Sequence, residues 1–453
     1  MSHPDRFRPG AFDAFRVTDR SYDEGSRTVS LGYALDDGPS FVETLTFETP
    51  PGNGVSLDAD VMGRALRHLH IAAGTSYYKA AAPPTVVVEH GALSPAEIAF
   101  HHHLYDDGLR EFAVENRLPV PRPVSVVARS TRPEGSILPG PARRRGLVVP
   151  IGGGKDSMVL IEALRPLGPR LLSVNPHPLV IELAAQAGLP LLIVRRRLSP
   201  RLADLNRDGA LNGHVPITAI VSLIAAAGSA VYGYDTIAMA IERSASEETV
   251  LFDGVPVNHQ YSKSLDFERL LADLFHTSVD PGLTYGSALR PFSELAIARA
   301  FATLTAYHGT FCSCNTAFRR SADPADTWCG QCAKCRFVGL MLAPFLGREE
   351  LTTIIGRDMF ADPTQVDGFA DLMSDADKPF ECVGERRESA AALRLLSERE
   401  EWSRSPVVAA LADRATAMVG PTDIDRLLAP ATDLAFPRND VAAAAARFFG
   451  AVS

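Results

Sequence analysis

At 453 residues the chain is long for a single hydrophobic core, so two or three domains are expected. Its composition, 46% hydrophobic and 22% charged, is that of a soluble globular protein, and a formal net charge of −9 argues against bulk attraction to nucleic acid, whose binding rests on neutralising phosphates. The first twelve residues carry Asp5, Arg6 and Arg8 with two prolines and no apolar run, which argues against secretion and for a cytoplasmic protein. Six cysteines, five of them between Cys312 and Cys335, make no disulfide framework and point to a metal or redox cluster in a reducing compartment.

In chain order, residues 13–49 alternate apolar and polar positions. Val29, Leu31 and Tyr33, then Phe41, Val42, Leu45 and Phe47, flank the turn Asp36-Asp37-Gly38-Pro39, which predicts an antiparallel hairpin. Helical spacing follows over 56–70, with Val61, Leu66 and Leu69 on one face, and a second helix is expected over 94–115. His101-His102-His103 lies inside that helix, where consecutive side chains point to different sides, so it reads as neither a tag nor a metal site. Residues 118–146 are rich in Pro, Arg, Ser and Gly and read as a linker. The expected organisation is an N-terminal α+β domain over 1–140, an α/β core over 146–345 and a helical region over 346–453.

Short apolar runs at 147–151, 171–174, 191–194 and 236–241 suit strands buried on both faces, with helices expected at 157–167, 178–187 and 216–232. That alternation predicts a doubly wound parallel sheet with its ligand at the carboxyl edge. Residues 215–234 carry no formal charge, yet Pro216, Thr218, Ser222, Gly228, Ser229 and Gly233 and the lack of a positive flank make them a buried helix rather than a membrane span. Two basic runs stand out, Arg143-Arg144-Arg145 and Arg195-Arg196-Arg197 with Arg201. The second follows a strand at its carboxyl end, so Arg195 and Arg196 are candidates for an anionic substrate.

Around Gly152-Gly153-Gly154-Lys155-Asp156-Ser157 the chain passes from strand to helix through three glycines, which lets backbone amides approach a bulky anion. A Walker loop is excluded because Val149 and Asp156 occupy its glycine and hydroxyl places, and a dinucleotide fingerprint because Ser157 replaces its last glycine. The stretch resembles the PP-loop pyrophosphatase signature Ser-Gly-Gly-x-Asp-Ser, with Gly152 in place of the first serine. That resemblance implies ATP cleavage between the α- and β-phosphates, with the adenylate activating a carboxylate or carbonyl.

Polar clusters beyond the strands supply site candidates: Leu205-Asn206-Arg207, Leu211-Asn212-Gly213-His214, Glu242-Arg243-Ser244-Ala245-Ser246 and Asn258-His259-Gln260-Tyr261-Ser262-Lys263. Cys329, Cys332 and Cys335, each separated by two residues, match metal-ligand spacing, with Cys314 or Cys312 closing the set. A closed structural zinc site and an iron–sulfur cluster both suit them. Cys382 lies between Glu381 and Glu385 and near Arg386; the carboxylates would raise its pKa and the arginine lower it, so its reactivity stays open.

The wider pattern comprises Ser76-Tyr77-Tyr78-Lys79-Ala80, the glycine bend, Asn212-Gly213-His214-Val215-Pro216, Glu242–Ser246, Val257-Asn258-His259-Gln260, Leu289-Arg290-Pro291, residues 328–337 and residues 378–389. Together these stretches resemble the UDP-N-acetylmuramoyl-L-alanyl-L-glutamate epimerases. The resemblance implies an ATP- and Mg2+-dependent isomerase of peptidoglycan synthesis acting on a small UDP-linked muramoyl dipeptide, with no nucleic-acid or membrane partner. On that reading Gly152–Gly154, Lys155, Asp156 and Ser157 hold ATP, Arg195, Arg196, Arg243 and Arg290 meet substrate anions, and His214, Glu242, His259, Lys263 and Cys382 are candidate proton carriers. Two rival readings are a PP-loop enzyme modifying a nucleobase or tRNA, and a non-catalytic nucleotide-binding protein.

Overall fold

Strand alternation in the N-terminal residues and apolar runs in the middle of the chain meet in one sheet. The computed structural model describes residues 7–49, 57–122, 124–133, 137, 146–317, 327–375 and 378–452. Arg143-Arg144-Arg145 therefore lies outside the described residues. The strands are β1 (Ala14–Asp23), β2 (Thr28–Leu35), β3 (Ser40–Phe47), β4 (Thr85–Leu93), β5 (Ser125–Thr131), β6 (Leu147–Pro150), β7 (Arg170–Val174), β8 (Leu191–Arg197), β9 (Thr236–Met239), β10 (Val250–Phe252), β11 (Val255–Val257) and β12 (Thr284–Ser287). Ten of them form a single sheet in the order β12-β9-β6-β7-β8-β3-β2-β1-β4-β5, while β10 and β11 pair separately.

The five strands from β12 to β8 are mutually parallel. From β6 the chain adds β7 and β8 on one side, then β9 and β12 on the other, so the winding reverses between β6 and β9. In open α/β sheets a reversal of this kind leaves a crevice beyond the carboxyl ends of the two strands. The expected hairpin forms between β2 and β3, and β3 continues antiparallel onto β8. The N-terminal strands are thereby an extension of the same sheet as the core.

Alternation along the strands feeds two cores, one on each face. Leu147 and Val149 of β6 enter the cluster that holds helices Lys155–Leu164, Pro178–Ala187 and the C-terminal helices. Val148 enters the other, with helices Ala59–Ala73 and Ile217–Tyr232. Ile217–Tyr232 is the uncharged segment; it is buried and packs on Ala59–Ala73. Among the described residues no helix is long and apolar enough to cross a membrane. The last helix, Asn439–Ala451, returns to Lys155–Leu164, with Phe449 stacked on Phe292 at 3.5 Å between ring centroids.

Three expectations need correction. The 118–146 segment, read as a linker, contains β5, which pairs parallel to β4 at the sheet edge. Such a strand buries one face only, so Ser125, Arg129, Ser130 and Thr131 dilute the apolar signal. The 94–115 helix is broken into Pro95–Asp106 and Arg110–Glu115 by a 3-10 turn at Asp107–Leu109, around Gly108. Arg195, Arg196 and Arg197 belong to β8 rather than to a loop after it, opposite Thr46, Leu45 and Thr44 of β3.

Candidate active site

The glycine bend stands at the carboxyl end of β6. Gly153 has φ +92°, and a Cβ there would lie 3.1 Å from Leu179 and 3.3 Å from Val180, so backbone and packing both require glycine. Gly152 is exposed, and a Cβ on it would meet nothing within 4 Å. Gly154 caps helix Lys155–Leu164 in an extended conformation with no side-chain cap, which leaves the first amides available to an anion.

Lys155 is buried and turned inward, ion-paired with Asp156 and Glu294. Against burial, which lowers it, those two carboxylates hold its ammonium above the ordinary lysine range. Glu242, just past β9, joins them, and the carboxylate oxygens of Asp156, Glu242 and Glu294 lie within 4.8 Å of one another. Burial pushes Glu294 up to about 7, with Asp156 and Glu242 adding repulsion and Lys155 opposing it. Its backbone N–H donates to Glu388 Oε1 at 2.8 Å, and burial with Glu385 and Glu294 nearby brings Glu388 to about 8. Three carboxylates around one ammonium make an acceptor-rich pocket of the oxygen chemistry that Mg2+ prefers.

Beside this pocket stands a second group. Lys263 Nζ lies 3.4 Å from Cys382 Sγ and 3.1 Å from Gln260 Oε1. His259 Nδ1 hydrogen-bonds Glu111, and its ring lies near enough to Cys382 for the charges of the two groups to favour each other. His214 packs on His259 with ring centroids 4.6 Å apart, and polar atoms of Glu111, His214 and His259 fall within 4.8 Å of one another. Lys79 pins the loop before His214, donating to Gly213 O at 3.2 Å. Against burial, Lys263, His259 and Lys334 draw the Cys382 thiol down to about 6. Against burial too, the neighbouring Cys382 and Glu111 side chains raise His259 to about 9. Burial and the cations of His259, Lys263 and Lys79 depress His214 to about 3. Lys263 is held above its ordinary range, burial notwithstanding, by Cys382, Glu242 and Asp156, which shows that the two groups adjoin.

The structure thus brings His214, His259, Lys263 and Cys382 together and seats Glu242 with the carboxylates. The arginines are engaged elsewhere. Arg290 is buried and donates to Glu268 and to the backbone oxygens of Glu242 and Lys263, both at 2.8 Å, so it fixes the peptides that carry those two side chains. Arg243 donates to Leu427 O at 3.3 Å. Arg195 pairs with Glu48, and Arg196 with Glu43 and Ser76, across the β8–β3 junction. Glu111, Glu294 and Lys334 are site residues that sequence reasoning missed. Glu294 opens a helix, where an acid reads as ordinary dipole complementation, and Lys334 lay unnoticed inside the cysteine run.

That run closes as expected. Sulfurs of Cys314, Cys329, Cys332 and Cys335 lie within 4.8 Å of one another, with Cys329–Cys335 at 3.7 Å and Cys332–Cys335 at 3.5 Å. A tetrahedron with arms of about 2.3 Å has edges of about 3.8 Å, so the four fit one zinc-sized ion. Backbone N–H groups of Cys329, Cys332 and Cys335 point at the sulfurs of Cys314, Cys329 and Cys332, each at 3.4 Å. Cys312 is outside the set and donates to Thr327 O. The cluster joins both parts of the site: Cys312 N–H donates to Gly153 O at 3.1 Å, and Lys334 binds Glu381 Oε2 at 2.9 Å through its amide and Cys382 O through its ammonium.

Comparison with known proteins follows the same outline. Residues 6–288 match the family model of the MurL N-terminal domain, and residues 310–425 that of the MurL C-terminal domain. The first match ends one residue after β12, the last strand of the sheet. Three curated relatives are each named UDP-N-acetyl-alpha-D-muramoyl-L-alanyl-L-glutamate epimerase. That of Salinispora tropica is 44% identical over 88% of both chains, and that of a Micromonospora species 41% identical over 88% of this chain and 90% of its own. That of Xanthomonas oryzae pv. oryzae is 39% identical over 87% of this chain and 88% of its own. No solved structure matches.

Proposed function

The chain belongs to the MurL family, and from that premise we propose that it is an ATP-dependent isomerase of peptidoglycan precursor synthesis, inverting the terminal L-glutamate of UDP-N-acetylmuramoyl-L-alanyl-L-glutamate to D-glutamate. The observation that carries the mechanism is a thiol flanked by Lys263 and His259 beside a glycine bend and an acidic pocket.

An α-proton next to a carboxylate resists removal, because the carbanion forms beside an existing negative charge. ATP would supply an adenylyl group to that carboxylate with loss of pyrophosphate, cancelling the charge and acidifying the α-carbon, and after inversion water would cleave the acyl adenylate to AMP and the free carboxylate. Gly152, Gly153 and Gly154, with the free amides at Lys155, Asp156 and Ser157, would receive the pyrophosphate. Asp156, Glu242 and Glu294 would hold Mg2+. Cys314, Cys329, Cys332 and Cys335 would hold a structural zinc ion, with no open position for chemistry.

Cys382 takes the α-proton on one face, since its thiol ionises at about 6 and its side chain is only partly buried. Lys263 and His259 hold the thiolate ionised and offset the charge that develops on the substrate. The proton carrier on the opposite face is Lys263 or His214, the remaining titratable groups of the cluster. Incubation with ATP, Mg2+ and the L-glutamyl substrate in deuterium oxide should yield AMP and D-glutamyl product carrying α-deuterium. Product with its original α-hydrogen would rule out proton exchange at that carbon.

A further inference from the structure

Glu111 has no part in the reaction just described. It sits in the short helix Arg110–Glu115 of the N-terminal region, 148 residues from His259 in sequence, yet its carboxylate meets His259 Nδ1. Lys263, four residues on in the same segment, sets its Nζ 3.4 Å from Cys382 Sγ, a residue of the C-terminal region, so the His259 ring and the thiol share one cluster and act on each other's charge. A thiol, an imidazole and a buried carboxylate in series have the arrangement in which a reactive group is activated by a base that a third group orients. We propose that Glu111 is a positioning residue: it orients the His259 ring, keeps it doubly protonated, and through it maintains Cys382 as a thiolate.

The surroundings of each group support this order. Cys382 faces Lys263, Lys334 and His259. His259 faces Cys382, Glu111 and His214, with Glu115 further off. His214 faces Lys263 and Lys79 in addition to His259. Burial works against the charged ring, and the Glu111 carboxylate, together with the Cys382 thiolate, holds its second proton. A buried ion pair that serves only to join two segments would leave the thiol indifferent to Glu111. An activating one would not.

The inference rests on the reading of Cys382 as the α-carbon base, but the relay is a property of the resting protein and is tested without substrate. Alkylation of Cys382 by iodoacetamide, followed across pH by peptide mass spectrometry on the full chain, should have its midpoint near the value of about 6 to which its surroundings draw it. Glu111→Gln keeps the shape and removes the charge. It should raise the midpoint by about one unit, a tenfold slower alkylation at pH 5. His259→Gln should do the same, and the double variant should add little to it, since both act through one ring. A midpoint unmoved by Glu111→Gln while His259→Gln raises it, in folded variants with the wild-type melting curve, would overturn the relay. So would additive shifts in the double variant. If the midpoint moves as expected but the wild type exchanges no α-proton in the deuterium experiment, the relay stands and the epimerase reading falls.

Discussion

Cys382 shows why the residue scale is the least legible in sequence. Its chain neighbours Glu381, Glu385 and Arg386 give opposing electrostatic arguments, whereas its spatial neighbours are Lys263, His259 and Lys334, from two other segments. Arg290, read from the sequence as an anion receptor, has its donors on Glu268 and two backbone oxygens, partners that no local pattern reveals. The glycine bend was legible because its chemistry is local. Gly153→Ala should destabilise the protein by more than about 1 kcal/mol, since it meets both a positive φ and close side chains, while Gly152→Ser should be nearly neutral. Denaturant titration of the two variants separates these outcomes. Activity should depend on pH as a bell: acid protonates the thiolate of Cys382 below about 6, and alkali deprotonates the His259 imidazolium above about 9. Both groups also link to stability. The lowered Cys382 pKa stabilises the fold at alkaline pH and loses that effect as pH falls through 6, and the raised His259 pKa stabilises it at acid pH and loses that effect as pH rises through 9. Cys382→Ala should retain substrate-dependent AMP formation yet lose α-deuterium incorporation at least 100-fold, about the least that a positioned proton carrier contributes.

Elements were legible where both faces are buried. Continuous apolar runs gave β6, β7, β8 and β9 to within a few residues, and helix Pro178–Ala187 without error. β5 and the arginine end of β8 were obscured because a half-buried strand carries charges on its other face. That the cysteine sulfurs converge was legible from their spacing, but not that the run ties Gly153 to Cys382 through Cys312 and Lys334. Metal analysis should find about one zinc per chain. Cys335→Ser should lose that ion and lower the melting temperature by about 5 °C or more, with the Cys382 alkylation profile shifting as Lys334 is released. Full retention of the ion in that variant would contradict the four-thiolate site.

At the scale of the whole molecule, periodicity indicated the α/β class and the parallel half of the sheet, but not that the N-terminal hairpin completes it. Pairing between β3 and β8 is long-range, and its specificity lies in contacts such as Arg196 with the fully buried Glu43. Glu43→Ala should cost about 3–5 kcal/mol by leaving a buried guanidinium without its counter-charge, measurable by urea denaturation.

That shared junction governs how the chain can be cut. A fragment beginning at Gly146 would keep the glycine bend, Cys382 and the four clustered cysteines, yet it would expose β8 as an unprotected border of open amides and carbonyls. Such a piece would self-associate through that border, so any attempt to miniaturise the protein has to retain the strands that precede Gly146 as a built-in guard.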